Sequence, residues 1–294
     1  MPHDNQQCST SSIEDTTILR KSLSAKIVAF NKAGSDLFLL NRFEEAFFHY
    51  KLSLDLIGNV SQVGVENNFE IKHHIPLHDV VASIWEGQNS SEQSRIHNLT
   101  PFPLNSPSDC QNQGEWERIS TMIVIYNISL LYFVSNNQQQ GTNMLELVLH
   151  LGGCLILVDV NLNDERPWQH QEDNSFWQSA LVVHLIISVY HLLGLSLYER
   201  IQQLNNTVRE QNSALSGKSL HVMATVIDLG ETRLGNKHPR LASLLITVGY
   251  ILFNAGYKVD ARNAFGRARN ISQQAYHDCL KNAIQVSASG AAAA

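Results

Sequence analysis

Two histidines, His184 and His191, stand seven residues apart in an uncharged apolar run and so share one helical face. Seven residues is two helical turns, too far for both rings to reach one ion, and no acidic residue within a turn completes a His-Glu-x-x-His zinc site. Both are expected to be hydrogen-bonded helix residues. His73, His74 and His78 beside Asp79 lack a tetrahedral set, and they are expected to be solvated. Asn212-Ser213-Ala214-Leu215-Ser216-Gly217-Lys218-Ser219 ends like a phosphate-binding loop. It has Asn212 where the opening glycine belongs, and the polar, helical stretch Ile201 to Gln211 replaces the buried strand that such a loop follows. A Ser-Gly loop capping the next helix is expected instead. Gly194-Leu195-Ser196-Leu197-Tyr198 begins like a nucleophile elbow but puts Tyr198 at the second glycine and lies inside a helical pattern. No close carboxylate pair sits in an apolar setting for acid and base work. These residues predict neither an enzyme nor a metal or organic cofactor.

The elements that would carry a different function come from composition and periodicity. Of 294 residues 44% are hydrophobic and 16% charged, with 21 Lys and Arg against 27 Asp and Glu, a formal charge of -6. That is enough apolar chain for a substantial core, and the acidic balance argues against nucleic acid or an anionic membrane surface as a partner. The polar start, Met1 to Asp15, has no basic stretch followed by an apolar core, so a cytoplasmic protein is expected. Cys8, Cys110, Cys154 and Cys279 lie far apart in sequence, form no Cys-x-x-Cys pair, and are read as free thiols.

Helical periodicity covers Thr17 to Leu40, Phe43 to Ile57, Arg118 to Val134, Asn143 to Val158, Ser175 to Leu204, Lys218 to Leu234, Pro239 to Asn254 and Val259 to Val286. The fold class is therefore all-α, with helices in four pairs. Ile123 to Ile125 and Val182 to Ile187 are apolar enough to predict burial on more than one face. Polar loops are expected at Ser135 to Gly141, Asn161 to Asn174 and Asn205 to Gly217. Residues 1–16 and 287–294 read as disordered tails, 17–58 as a first helix pair, 59–117 as a linker or insertion, and 118–286 as three further pairs. Inside the linker, Phe69 to Trp85 is apolar enough for a short docked strand or helix, and Thr100-Pro101-Phe102-Pro103 marks a loop.

Large and small residues alternate across the first pair: Phe30, Ala33, Gly34 and Leu37 on one helix, then Ala46, Tyr50 and Leu54 on the next. This resembles a tetratricopeptide repeat, in which small residues let the two helices approach and large ones fill the seam. The grammar returns in Leu245, Val248, Gly249 and Leu252 followed by Ala261, Phe265, Ala268 and Ile271. Leu234-Gly235 and His238-Pro239 resemble the segment joining consecutive repeats in kinesin light chains, with Gly235 ending one helix and Pro239 opening the next. Ile125 to Tyr132 with Leu147, Leu151 and Cys154 reads as a third copy, after an insertion around Gln138 to Gln140. Ala180 to Leu197 with Leu220 to Leu229 would be a fourth. The copies begin 95 and 120 residues apart, at Phe30, Ile125 and Leu245, so the resemblance implies a short α-solenoid of antiparallel helix pairs interrupted by insertions.

The resemblance implies a protein-binding scaffold in which the first helices of the pairs line a groove for a partner peptide or helix. Asn127 matches the asparagine that faces such a groove. Lys32 and Thr247 occupy the corresponding places in two other copies, and Asn31 and Ser35 lie at neighbouring groove positions. Lys32 and Thr247 depart from the asparagine of the kinesin-light-chain pattern. Residues 59–117 either loop out or cover a face of the array. The rival reading is a membrane-anchored helical protein, because Ala180 to Tyr198 runs without a formal charge at about the length of a span.

Overall fold

The computed structural model describes residues 7–62, 100–104, 113–153, 179–203 and 209–273. The described residues hold eight α-helices and no strand. They are α1 (Gln7–Leu39), α2 (Phe43–Gln62), α3 (Gln113–Val134), α4 (Gln138–Leu151), α5 (Ala180–Gln203), α6 (Arg209–Leu234), α7 (Pro239–Asn254) and α8 (258–273). The helices fall into two compact units, Met1–Ile156 and Leu157–Ala294. Phe69 to Trp85, His73, His74, His78 and the loop Asn161 to Asn174 lie outside the described residues.

In the first unit α1 packs on α2, α2 on α3, and α3 on α4. The buried face of α2 is Ala46, Phe47, Tyr50, Ser53 and Ile57, a spacing that keeps one stripe inward. Ser53 ties that stripe to α1 by donating from Oγ to the Ile27 carbonyl at 3.1 Å. Gly34 is needed where the helices cross: a Cβ there would lie 2.7 Å from the Tyr50 ring and 3.2 Å from the Ala46 carbonyl oxygen. Residues 119–133 of α3 are buried on every face, as the Val and Ile content predicts. In the second unit α5 packs on α6 and α6 on α7, and α5 also touches α7.

Three helical hairpins share one turn. After α1 the chain bonds Asn41 N–H to Phe38 O and Arg42 N–H to Leu37 O, and Asn41 takes φ 59°. After α3 the same bonds run from Asn136 to Phe133 and from Asn137 to Tyr132, with Asn136 at φ 59°. After α7 they run from Gly256 to Phe253 and from Tyr257 to Leu252, with Gly256 at φ 91°. This pair of closing bonds satisfies carbonyls that a helix end leaves open, and its left-handed residue explains the choice of Asn or Gly. The next helix then starts at the same place, with Ala46, Gly141 and Ala261 donating to Arg42, Asn137 and Tyr257. The turns thus align Lys32, Asn127 and Thr247 with one another.

Several boundaries differ from expectation. α1 begins at Gln7, upstream of Thr17. No insertion stands at Gln138 to Gln140: those residues are the first turn of α4, capped by the Asn137 side chain accepting from Gln140 N–H at 3.3 Å. The polar composition suggests a loop, but a capped first turn needs the same polar residues. Asn205 to Gly217 is likewise not a loop throughout, because α6 runs through Gly217 from Arg209. Gly235, at φ 86°, does end α6, and Pro239 opens α7 behind His238, whose Nδ1 accepts the Arg240 N–H at 3.2 Å.

Candidate peptide clamp between α1 and α3

Asn31 on α1 and Asn127 on α3 are both fully buried, and their carboxamides meet: Asn127 Nδ2 donates to Asn31 Oδ1 at 3.0 Å. Residues 100–104, a stretch without regular secondary structure, lie against this pair. The Phe102 N–H donates to Asn127 Oδ1 at 2.6 Å, and the Phe102 carbonyl accepts from Asn127 Nδ2 at 3.0 Å. Asn31 Nδ2 donates to the same carbonyl at 3.3 Å. One carboxamide therefore grips both polar groups of a single peptide residue and a second reinforces it. A backbone N–H can only donate, so this arrangement also fixes which way the Asn127 amide points.

The polar residues behind the clamp hold its geometry. Ser35 Oγ donates to the Asn31 carbonyl at 2.9 Å, and Tyr50 donates its hydroxyl to Ser35 Oγ at 3.2 Å. Burial pushes the Tyr50 hydroxyl well above its ordinary pKa, so it stays a donor. Around the bound segment, Pro101 and Leu104 are buried, Pro103 is exposed, and the Phe102 ring meets Tyr126 edge-on at 6.0 Å.

Of the groove residues named from sequence, the structure brings Asn31, Asn127 and Ser35 together. Lys32, although in register with Asn127, lies outside the clamp: its side chain is exposed and pairs with Asp36 at 2.8 Å along α1. Thr247 belongs to the second unit. Sequence reasoning placed Pro101 and Phe102 in a loop and assigned them no role in a site. The signal was two prolines around one aromatic, which leaves Phe102 as the only N–H donor in residues 101–103.

The second unit carries a polar seam between α5 and α7. His184 Nδ1 meets Arg240 Nη1 at 3.0 Å, His191 Nε2 meets Thr247 Oγ1 at 3.0 Å, and Tyr198 accepts from Asn254. Each rung joins residues 56 apart and successive rungs are seven apart, so α5 and α7 run parallel in one register. Arg240 also donates to Ser188, and the His238 ring lies 5.6 Å from that of His184. Burial, then the nearby Arg240 charge, lowers the His191 pKa to about 4. Burial, Arg240 and His238 lower that of His184. Both rings are neutral near pH 7. Among the described residues no group of three or more His, Cys, Asp or Glu side chains is placed to hold a metal.

The remaining motifs are absorbed by packing. Ser219 is buried and donates to the Gly194 carbonyl at 2.9 Å, while Lys218 is exposed on the same helix. Gly194 serves the approach of α5 to α6, since a Cβ there would fall 2.5 Å from Met223 Sδ. Gly114–Val134 and Ala180–Arg200 are each long and apolar enough to cross a bilayer, and 83% and 67% of their most apolar stretches are buried inside the protein. Comparison with protein-family models, curated proteins and solved structures finds no match.

Proposed function

We propose that the chain is a tetratricopeptide-like interaction scaffold whose α1 and α3 line a groove that captures an extended partner peptide by its backbone. The observation that carries this reading is the Asn127 carboxamide, which accepts from the N–H and donates to the carbonyl of one peptide residue. Such a contact reads the main chain and leaves the side chains to select the sequence, as in peptide recognition by sheet edges. The repeated hairpin turn supports the family reading, as do Gly34 opposite Tyr50 and Gly249 opposite Phe265, each pair 16 residues apart. The work done is recognition, with no bond made or broken.

A test is affinity capture from a detergent-free extract with the wild-type chain and with Asn127→Ala, compared by mass spectrometry. The reading expects stoichiometric partners on the wild type that the variant loses while its circular dichroism is unchanged. An identical set of partners on both proteins refutes the groove. The length and apolarity of Ala180–Arg200 favour a second reading, a membrane anchor. Polar contacts from His184, Ser188 and His191 to α7 speak against lipid around that helix. Retention in the pellet after an alkaline wash would select the anchor.

A further inference from the structure

We infer that the groove takes peptides of the pattern proline, aromatic, any residue, aliphatic, and that residues 100–104 are a resident ligand of that chemistry which a partner must displace. This rests on the scaffold reading and adds the ligand class to it.

The pattern follows from how each resident residue is held. At Phe102 the clamp satisfies one N–H and one carbonyl, and the prolines on either side add no N–H. Pro101 is buried, so any other residue there would bring an N–H into a place where an unsatisfied donor is costly. Pro103 is exposed, so water can satisfy a residue with an N–H at that position. The second position is aromatic because Phe102 packs edge-on against Tyr126 at 6.0 Å, and the fourth is aliphatic because Leu104 is buried. A segment with prolines at alternate positions also loses little conformational entropy on binding.

The segment is held by side chains acting on its backbone rather than by a helix or sheet of its own. That mode of holding is exchangeable, because an incoming peptide offers the same N–H and carbonyl. Covalent attachment gives the resident an effective concentration on the order of millimolar. A free peptide of equal intrinsic affinity is therefore expected to bind the wild-type chain at least tenfold more weakly than a chain whose own segment is evicted.

The experiment uses the full chain and a fluorescent peptide copying residues 98–106, followed by anisotropy. Phe102→Asp in the chain should evict the resident and raise peptide affinity at least tenfold over wild type. Adding Asn127→Ala to that chain should abolish binding. In the peptide, replacing the proline equivalent to Pro101 by alanine should weaken binding at least fivefold, and replacing that equivalent to Pro103 should leave it within twofold. Equal affinity of wild type and Phe102→Asp, or indifference to the first proline, overturns the inference. If Phe102→Asp does not fold, fluorinated phenylalanine at position 102 of the otherwise unaltered chain gives a second reading. Its fluorine resonance should move to the solvent-exposed position as unlabelled peptide is added to millimolar concentration, and a fixed resonance overturns the inference. If the evicted chain ignores the peptide while cellular partners still depend on Asn127, the ligand class falls and the scaffold reading stands.

Discussion

Replacing Asn127 by alanine should free the Phe102 amide to exchange with solvent while leaving the helices around it protected. Three hydrogen bonds hold Phe102, two from Asn127 at 2.6 and 3.0 Å and one from Asn31 at 3.3 Å. At about 1 kcal/mol net for each, these bonds add roughly 3 kcal/mol to what the burial of Pro101 and Leu104 contributes, so the amide should exchange at least on the order of a hundredfold more slowly than in a free peptide. The variant loses the two Asn127 bonds, about 2 kcal/mol, so protection should fall about thirtyfold.

Hydrogen exchange read by NMR on protein labelled at phenylalanine, isoleucine and leucine suits this test, because Phe102 is the only residue in 101–103 with an amide proton. The comparison that matters is with amides of α3 between Ile123 and Leu131, which lie in the fully buried part of that helix. A clamp acting on a ligand predicts loss of protection at Phe102 alone. Parallel loss along α3 would mean that Asn127 holds the bundle together, and unchanged protection at Phe102 would mean that the hydrogen bonds do not hold the segment.

Glycine substitutions test the hairpin packing: Gly34→Ala should destabilise by about 1–3 kcal/mol in thermal denaturation, since the new methyl meets a buried Tyr50 ring and a backbone carbonyl. Gly249→Ala should cost less because the obstructing Phe265 is only partly buried and can turn aside, whereas Gly266→Ala, with nothing within 4 Å, should stabilise by up to about 1 kcal/mol. The α5–α7 seam should make the second unit sensitive to acid. With His191 held near 4 in the folded chain, the unfolded chain binds the extra proton between that value and the ordinary histidine range near 6.5, so stability falls as pH is lowered through that window. Discounted for the ring's partial exposure, the loss is about 2 kcal/mol, His184 adds in the same direction, and His191→Gln should flatten the unfolding-versus-pH curve relative to wild type.

Much of this architecture was legible because burial leaves a periodic trace. The all-helical class, the stop at Gly235, the start at Pro239 and the close approach at Gly34 all follow from residue type and spacing. The polar starts of α4 and α6 look like loops in the sequence, because a helix's first turn and a loop draw on the same Asn, Gln and Ser. Register alone points to Asn127, but not to the segment it holds. Nothing local in Thr100 to Leu104 says where an irregular segment will dock, and the decisive contact spans 25 residues to Asn127. Asn31 stands out in the sequence only as a neighbouring position, since its meeting with Asn127 across 96 residues depends on how α1 and α3 come together.

The same register position does different work in the two units, and hydrogen-bonding capacity explains why. Asn127 and Thr247 occupy equivalent places in their hairpins. A carboxamide offers two N–H donors and an acceptor oxygen, so Asn127 can bond Asn31 and still grip the N–H and the carbonyl of one residue. The Thr247 hydroxyl has one proton, and it faces the neutral ring of His191 while lying within 3.2 Å of the Ser243 carbonyl. Those two partners use the hydroxyl as donor and acceptor, and the His184–Arg240 and Tyr198–Asn254 rungs bring α5 and α7 together on either side. Where paired asparagines line the seam between first helices, a backbone can be bound there. Where imidazole faces hydroxyl, the seam is joined to itself, whereas in the first unit the asparagine pair holds the backbone of Phe102.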